Sequence, residues 1–207
     1  PGVLALNSVE LELYEGEFLS LIGENGAGKS TLMKILAGVQ LPDEGVVSVG
    51  GKTVVLDSVK VAQSHGIALI HQELNLSENL TIGANIFLGR EPQRFGIINK
   101  QAIAKESKRF LAMVGLSLDP GTMTADLSIG QQQLVEIARA LSVDAKILIM
   151  DEPTSSLSAG ETEKLFDVIR ELRSHQVSII YISHRLGEVK LLSDRVTVFR
   201  DGQNAGE

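Results

Sequence analysis

The nine residues GENGAGKST (Gly23–Thr31) follow directly on an apolar run, FLSLI at 18–22. Three glycines, one lysine and two hydroxyls stand where a buried strand ends and a helix begins. The stretch fits G-x-x-x-x-G-K-[ST] through Gly23, Gly28, Lys29 and Ser30. Glycines let the backbone take positive φ and come close to a ligand. Bare N–H groups of the turn, joined to a helix N-terminus, form a cradle for anions. Gly23, Glu24, Asn25, Gly26, Ala27, Gly28, Lys29, Ser30 and Thr31 are therefore the expected phosphate grip. Lys29 is expected to reach the β- and γ-phosphates, Ser30 to ligate Mg²⁺ and Thr31 to meet an α-phosphate oxygen.

Outward from this loop, short apolar runs alternate with helical patterns, which predicts an α/β fold. IALI (67–70), ILIM (147–150) and SIIYI (178–182) are apolar nearly throughout, as strands covered on both faces are. VLALNSVELELYEGE at the start alternates instead. With GVVSVGGKTVV (45–55) and RVTVFRDG (195–202) it is expected to form antiparallel or edge structure. Helices are expected at 29–38, 58–64, 100–114, 131–142, 160–174 and 185–191. Leu165, Val168, Ile169 and Leu172 would form the buried stripe of the fifth. Residues 73–125 carry no strong strand pattern and read as a mostly helical insertion.

A second site lies far along the chain. KILIMDEPTSSLS (146–158) is an apolar strand ending in two acids. Asp151 would stand at the carboxyl end of a central strand, where open α/β sheets bind ligands, and hold Mg²⁺ through water. Glu152 is placed to orient and deprotonate an attacking water. Phosphate loop and acid pair together indicate a nucleotide triphosphatase. No NKxD tetrapeptide is present, which favours ATP over GTP.

LSIGQQQLVEIARAL (127–141) narrows the class. Ser128 with Gln131 three residues on makes a capping box, and Leu134, Ile137, Ala138 and Leu141 make a buried face. The plain alternative is a well-capped amphipathic helix and nothing more. Yet LSIGQ (Leu127, Ser128, Ile129, Gly130, Gln131) also resembles the LSGGQ signature of the ATP-binding-cassette (ABC) ATPases, in the position that family has it. IHQE carries Gln72 at the place of the Q-loop glutamine, SSLS (155–158) resembles the D-loop, and ISHR carries His184 at the place of the switch histidine. HQELNLSENLTIGANIFLGRE (71–91) further resembles the N-terminal cassette of bacterial importers of ribose, galactose, xylose and arabinose.

The resemblance implies a P-loop ABC cassette: a mostly parallel sheet with an antiparallel β portion (about 1–72 and 143–207) and a helical subdomain (about 73–142). It implies MgATP hydrolysis with Glu152, His184 and Gln72 catalytic, and Ser30, Gln72 and Asp151 at the metal. Leu127 to Gln131 would face the ATP of a second cassette, fused or dimeric. Implied partners are membrane permease subunits, met near residues 76–100, and indirectly a periplasmic or extracellular sugar-binding protein. The implied location is peripheral, on the cytoplasmic face of the membrane. IFL (86–88) is either permease contact or core packing.

The chain departs from the pattern in places. Ile129 replaces the second glycine of the signature, and Ser158 stands where many cassettes have Asp. The family's adenine-stacking aromatic lies upstream of Pro1, and the chain reads as a piece of a longer polypeptide. Composition is consistent with all this. The 207 residues are 43% hydrophobic and 22% charged, enough for a full core. A net charge of −7 offers no electrostatic case for nucleic acid. There are no cysteines, hence no disulfide and no thiolate metal site. Two other readings of the cassette are a soluble ATPase acting on ribosomes or DNA, and a regulatory module that binds nucleotide without hydrolysing it. His65, His71 and His175 read as surface residues, Arg139 as a structural charge and Asp126 as a solvated loop acid. KQAIAKESKR (100–109) reads as an exposed helix face.

Overall fold

Six strands form one sheet in the order β10-β9-β1-β8-β7-β4. They are β1 (Phe18–Gly23), β4 (Ile67–Ile70), β7 (Ile147–Asp151), β8 (Ser178–Ile182), β9 (Arg195–Arg200) and β10 (Gln203–Gly206). The computed structural model describes residues 4–206. They divide into two compact units. One comprises residues 4–69, 145–152 and 172–206; the other comprises 70–144 and 153–171.

The first unit holds nearly all of that sheet. β1 runs parallel to both β8 and β9, and β8 runs parallel to β7. Leu21, Met33, Ile149, Ile180, Ile182 and Phe199 pack into one core cluster, all buried. Each such side chain contributes roughly 1.5–3 kcal/mol on leaving water. The continuous apolar runs follow from this, because strands covered on both faces have no solvent side. Around the sheet lie α1 (Lys29–Leu36), the hairpin β2 (Val47–Val49) with β3 (Lys52–Val54), α2 (Val59–Ser64) and α7 (Leu186–Leu192).

Two expectations are corrected here. RVTVFR is β9, which pairs antiparallel with the edge strand β10 as expected, but on its other side runs parallel to β1. Residues 4–15 form no strand. Their alternation is nevertheless real, since Val9, Leu11 and Leu13 pack on the core while Glu10, Glu12 and Tyr14 are exposed. Side chains of the sheet edge meet this segment's backbone: the Asn204 amide donates to the Glu10 carbonyl and accepts from its N–H, at 2.8 and 2.9 Å. Val3, the first residue of that expected edge, lies outside the described residues.

The second unit contains α3 (Ile82–Ile86), a short hairpin of β5 (Gln93–Arg94) and β6 (Ile97–Ile98), α4 (Lys100–Met113) and α5 (Ile129–Leu141). It also contains most of α6 (Ala159–Ser174). α3, α4 and α5 pack on one another. Gly83 makes the closeness possible: a Cβ there would lie 3.0 Å from the Ile103 Cγ2 methyl and 3.2 Å from the Ser107 hydroxyl. Asn85 is wholly buried and satisfied, accepting from Ser77 N–H and donating to the Thr124 hydroxyl. Ile86 and Phe87 are core residues and Leu88 faces outward, so IFL is core packing with an exposed end. In α6 the expected stripe is buried throughout. Among the described residues no helix is long and apolar enough to cross a membrane.

Candidate functional site

In the first unit, three loops leave the same edge of the sheet, after β1, β8 and β7. The loop after β1 is the glycine-rich turn. Gly26 and Gly28 have φ of 84° and 96°. At Gly28 a Cβ would approach the Ala5 carbonyl oxygen to 2.5 Å and the Leu6 Cδ2 to 2.6 Å, so no other residue fits. Gly28 is also the N-cap of α1 and provides no side-chain cap. The free N–H groups of the first helical turn therefore face out of the protein as a ready anion seat. The Lys29 ammonium donates to the carbonyls of Gly23 and Glu24, at 2.7 and 2.9 Å, which anchors it over the turn. Glu24, Asn25, Gly26 and Ser30 are exposed, Thr31 is half-buried and Ala27 is buried.

β7 ends at Asp151, which is half-buried. Glu152 follows with φ 45°, a left-handed conformation that costs a non-glycine residue about 1 kcal/mol or more. Its N–H donates to the Ile182 carbonyl at 2.9 Å, so the ladder to β8 overdetermines the strained turn. The carboxylate Oε1 lies 3.1 Å from His184 Nδ1. Acid and histidine thus form a pair at the ends of two adjacent parallel strands.

A group that sequence reasoning passed over supports His184. Glu188, buried on α7, accepts from the Tyr181 hydroxyl at 2.7 Å and from the Ser183 hydroxyl at 3.2 Å. Arg185 adds an ion pair to Glu188 at 3.3 Å, and its N–H donates to Ser183 Oγ at 3.0 Å. Ser183 and Arg185, on either side of His184, are both tied to this one carboxylate, which fixes the turn that carries the imidazole. An acid three residues beyond an S-H-R turn was the only available signal.

In the second unit, Ser128 caps α5 in a full capping box with Gln131. Leu127 is buried, Ile129 is exposed and Gly130 is buried. The donors of this turn are engaged by a residue not singled out from the sequence, Glu161. Its Oε1 accepts from Ser128 Oγ–H at 2.9 Å and from Gly130 N–H at 3.1 Å. Its Oε2 accepts from the N–H and the hydroxyl of Ser158, at 3.1 and 2.8 Å. Ser158 hydroxyl first, then its N–H and the Ser128 hydroxyl, hold the Glu161 carboxyl down at about 2.

Gln72 is exposed, in a bend just after β4. The chain beyond it is fastened to α5: Glu136 accepts from Asn75 N–H at 3.1 Å and Arg139 donates to the Asn75 carbonyl at 3.2 Å. Arg139 is thus a structural charge, as expected. Burial raises the Glu136 carboxyl, against the opposing pull of Arg139 and the Asn75 N–H. His65, His71 and His175 are exposed.

A glycine turn with an uncapped helix behind it, and an acid–histidine pair on the same sheet edge, define a P-loop nucleotide-binding protein. Residues 6–155 match the ABC transporter family, and the chain belongs to it. A putative ribose/galactose/methyl galactoside import ATP-binding protein of Burkholderia cenocepacia is 53% identical over 99% of this chain and 40% of its own length. The ribose import ATP-binding protein RbsA of Clostridium perfringens is 50% identical over 100% of this chain and 42% of its own. The chain spans about two fifths of the length of these curated relatives. Among solved structures, a nucleotide-free ATP-binding cassette from an ABC transporter superposes with a TM-score of 0.89 at 26% identity, covering 100% of this chain and 85% of that one. A dimeric cassette in a post-hydrolysis state with ADP and Pi gives 0.81 at 27% identity, covering 99% and 90%.

Proposed function

We propose that this chain is the ATP-hydrolysing cassette of a monosaccharide importer. The observation that carries the hydrolytic half is the Glu152–His184 pair, held at 3.1 Å on a strained strand end. The import half rests on relatives whose names include ribose, galactose and arabinose import. The backbone N–H groups of 24–31 bind the phosphates, and Lys29 leaves its two carbonyls for the β- and γ-phosphate oxygens. The bare α1 terminus fits a triphosphate, and Ser30 with Asp151 are the hard oxygen donors a divalent cation takes. Ser30 and Asp151 would hold Mg²⁺, which offsets phosphate charge when bound. Glu152 takes the proton of the attacking water. His184 contacts the γ-phosphate and keeps Glu152 turned toward that water.

Two cassettes clamp ATP between them, and Ser128 and Gly130 of one serve the γ-phosphate held by the other. Hydrolysis removes the bridging phosphate and with it the preference for the closed pair. The cassette lies at the cytoplasmic face of the membrane beneath its permease, and the sugar-binding protein acts through that permease. An exposed apolar hairpin supports a docking role near residues 76–100. Phe95 is 92% exposed and Ile97 73%. Substituting Glu152→Gln in the full-length protein should abolish phosphate release while labelled MgATP stays trapped through rapid gel filtration. Turnover surviving that change would exclude Glu152 as the base.

A further inference from the structure

Glu161 occupies donors that the proposed function assigns to a phosphate. Gly130 has one N–H and Ser128 one O–H, and both are given to Glu161 Oε1, at 3.1 and 2.9 Å. Each can serve only one anion at a time. A carboxylate and a triphosphate also repel, so they do not share the turn. Gly130 keeps the seat open to the carboxylate: a Cβ at 130 would stand 2.5 Å from Glu161 Oε1 and push it out. The other oxygen of Glu161 has a separate task. Ser158 N–H donates to Oε2 at 3.1 Å, and Glu161 N–H donates to Ser158 Oγ at 3.4 Å, a capping box at the start of α6. One side chain therefore caps its own helix and, with the opposite oxygen, fills the anion seat of α5.

We propose that Glu161 is a positioning residue that holds the Ser128 and Gly130 donors until a phosphate from a second cassette displaces it, so that it sets the MgATP concentration at which two cassettes close. The inference rests on the functional reading above. It differs from a purely structural role in sign. A prop for the turn would, when lost, weaken closure; a competitor for its donors would, when lost, favour it.

Glu161→Gln separates the two. A glutamine completes a capping box as Gln131 does for Ser128, so α6 keeps its start while the anion at Ser128 and Gly130 is gone. Hydrogen bonds to a charged acceptor are about twice as strong as neutral ones. In the full-length E152Q protein, E161Q should therefore lower the MgATP needed for half-maximal trapping by roughly fivefold. An unchanged or higher midpoint, with trapping intact, overturns the inference alone. Absence of MgATP trapping in E152Q with Glu161 intact overturns the functional reading, and the inference with it.

Discussion

At Gly28 three demands meet in one residue: φ of 96°, a helix start without a side-chain cap, and backbone within 2.5 Å of where a Cβ would stand. Gly28→Ala should therefore cost about 2 kcal/mol or more in urea unfolding and abolish MgATP binding in calorimetry. Gly26 has equally left-handed backbone but open space around it, so alanine there carries the conformational cost without the clash. Glu152 presents the reverse case, a side chain worth keeping on a backbone that would favour glycine. The bond from its N–H to Ile182 and the contact of its carboxylate with His184 hold it there. The phosphate turn was legible because everything it needs lies within nine consecutive residues. The buttress of His184 was less so, because Tyr181, Ser183 and Glu188 read singly as strand, turn and helix residues.

At the level of elements, α5 and α6 each begin with a serine cap and an acid or amide three residues on, and the two starts share Glu161. In an unfolded chain that carboxyl titrates near its ordinary value of 4.5, and in the fold at about 2. The stabilisation is therefore complete above the ordinary value and is lost as pH falls through about 2. The stability deficit of Glu161→Ala in urea should be full at neutral pH and narrow as pH falls from about 5 toward 2. The capping box at Ser128 is local and was read from the sequence; the one at Ser158 is as local but was not, and the bridge between them joins residues 33 apart. Periodicity failed in two instructive places. At 4–15 it reported which side chains face the core, which does not require a hydrogen-bonded neighbour. At β9 it could not tell parallel from antiparallel, since alternation is the same for both. The hairpin at 93–98 went unnoticed because two-residue strands are too short to show a period.

For the molecule as a whole, that hairpin is the outlier. Phe95 and Gly96 take φ of 55° and 77°, the pattern of a type I′ turn, in which Asn–Gly is the favoured pair. A phenylalanine there gains nothing locally beyond the Arg94 guanidinium 5.5 Å from its ring. Phe95→Asn should leave unfolding unchanged or slightly improved while weakening co-purification with the permease several-fold, measured by affinity capture of the full-length protein from detergent extracts. Retained capture would remove the hairpin from the docking surface. The charge of −7 and the family were both readable from the chain, but the outward-facing ring emerged only from the folded hairpin.

The attachment of Asn75 to Glu136 and Arg139 has a mechanical meaning. From Ser128 to Arg139 is eleven residues along α5 and its cap, a stiff rod of about 16 Å. A pull applied beside Gln72 is delivered to one end of that rod, and Ser128 sits at the other. The glutamine bend is joined by only three residues to the Asn75 anchor, so a displacement there has a short path to the rod that carries the serine tip.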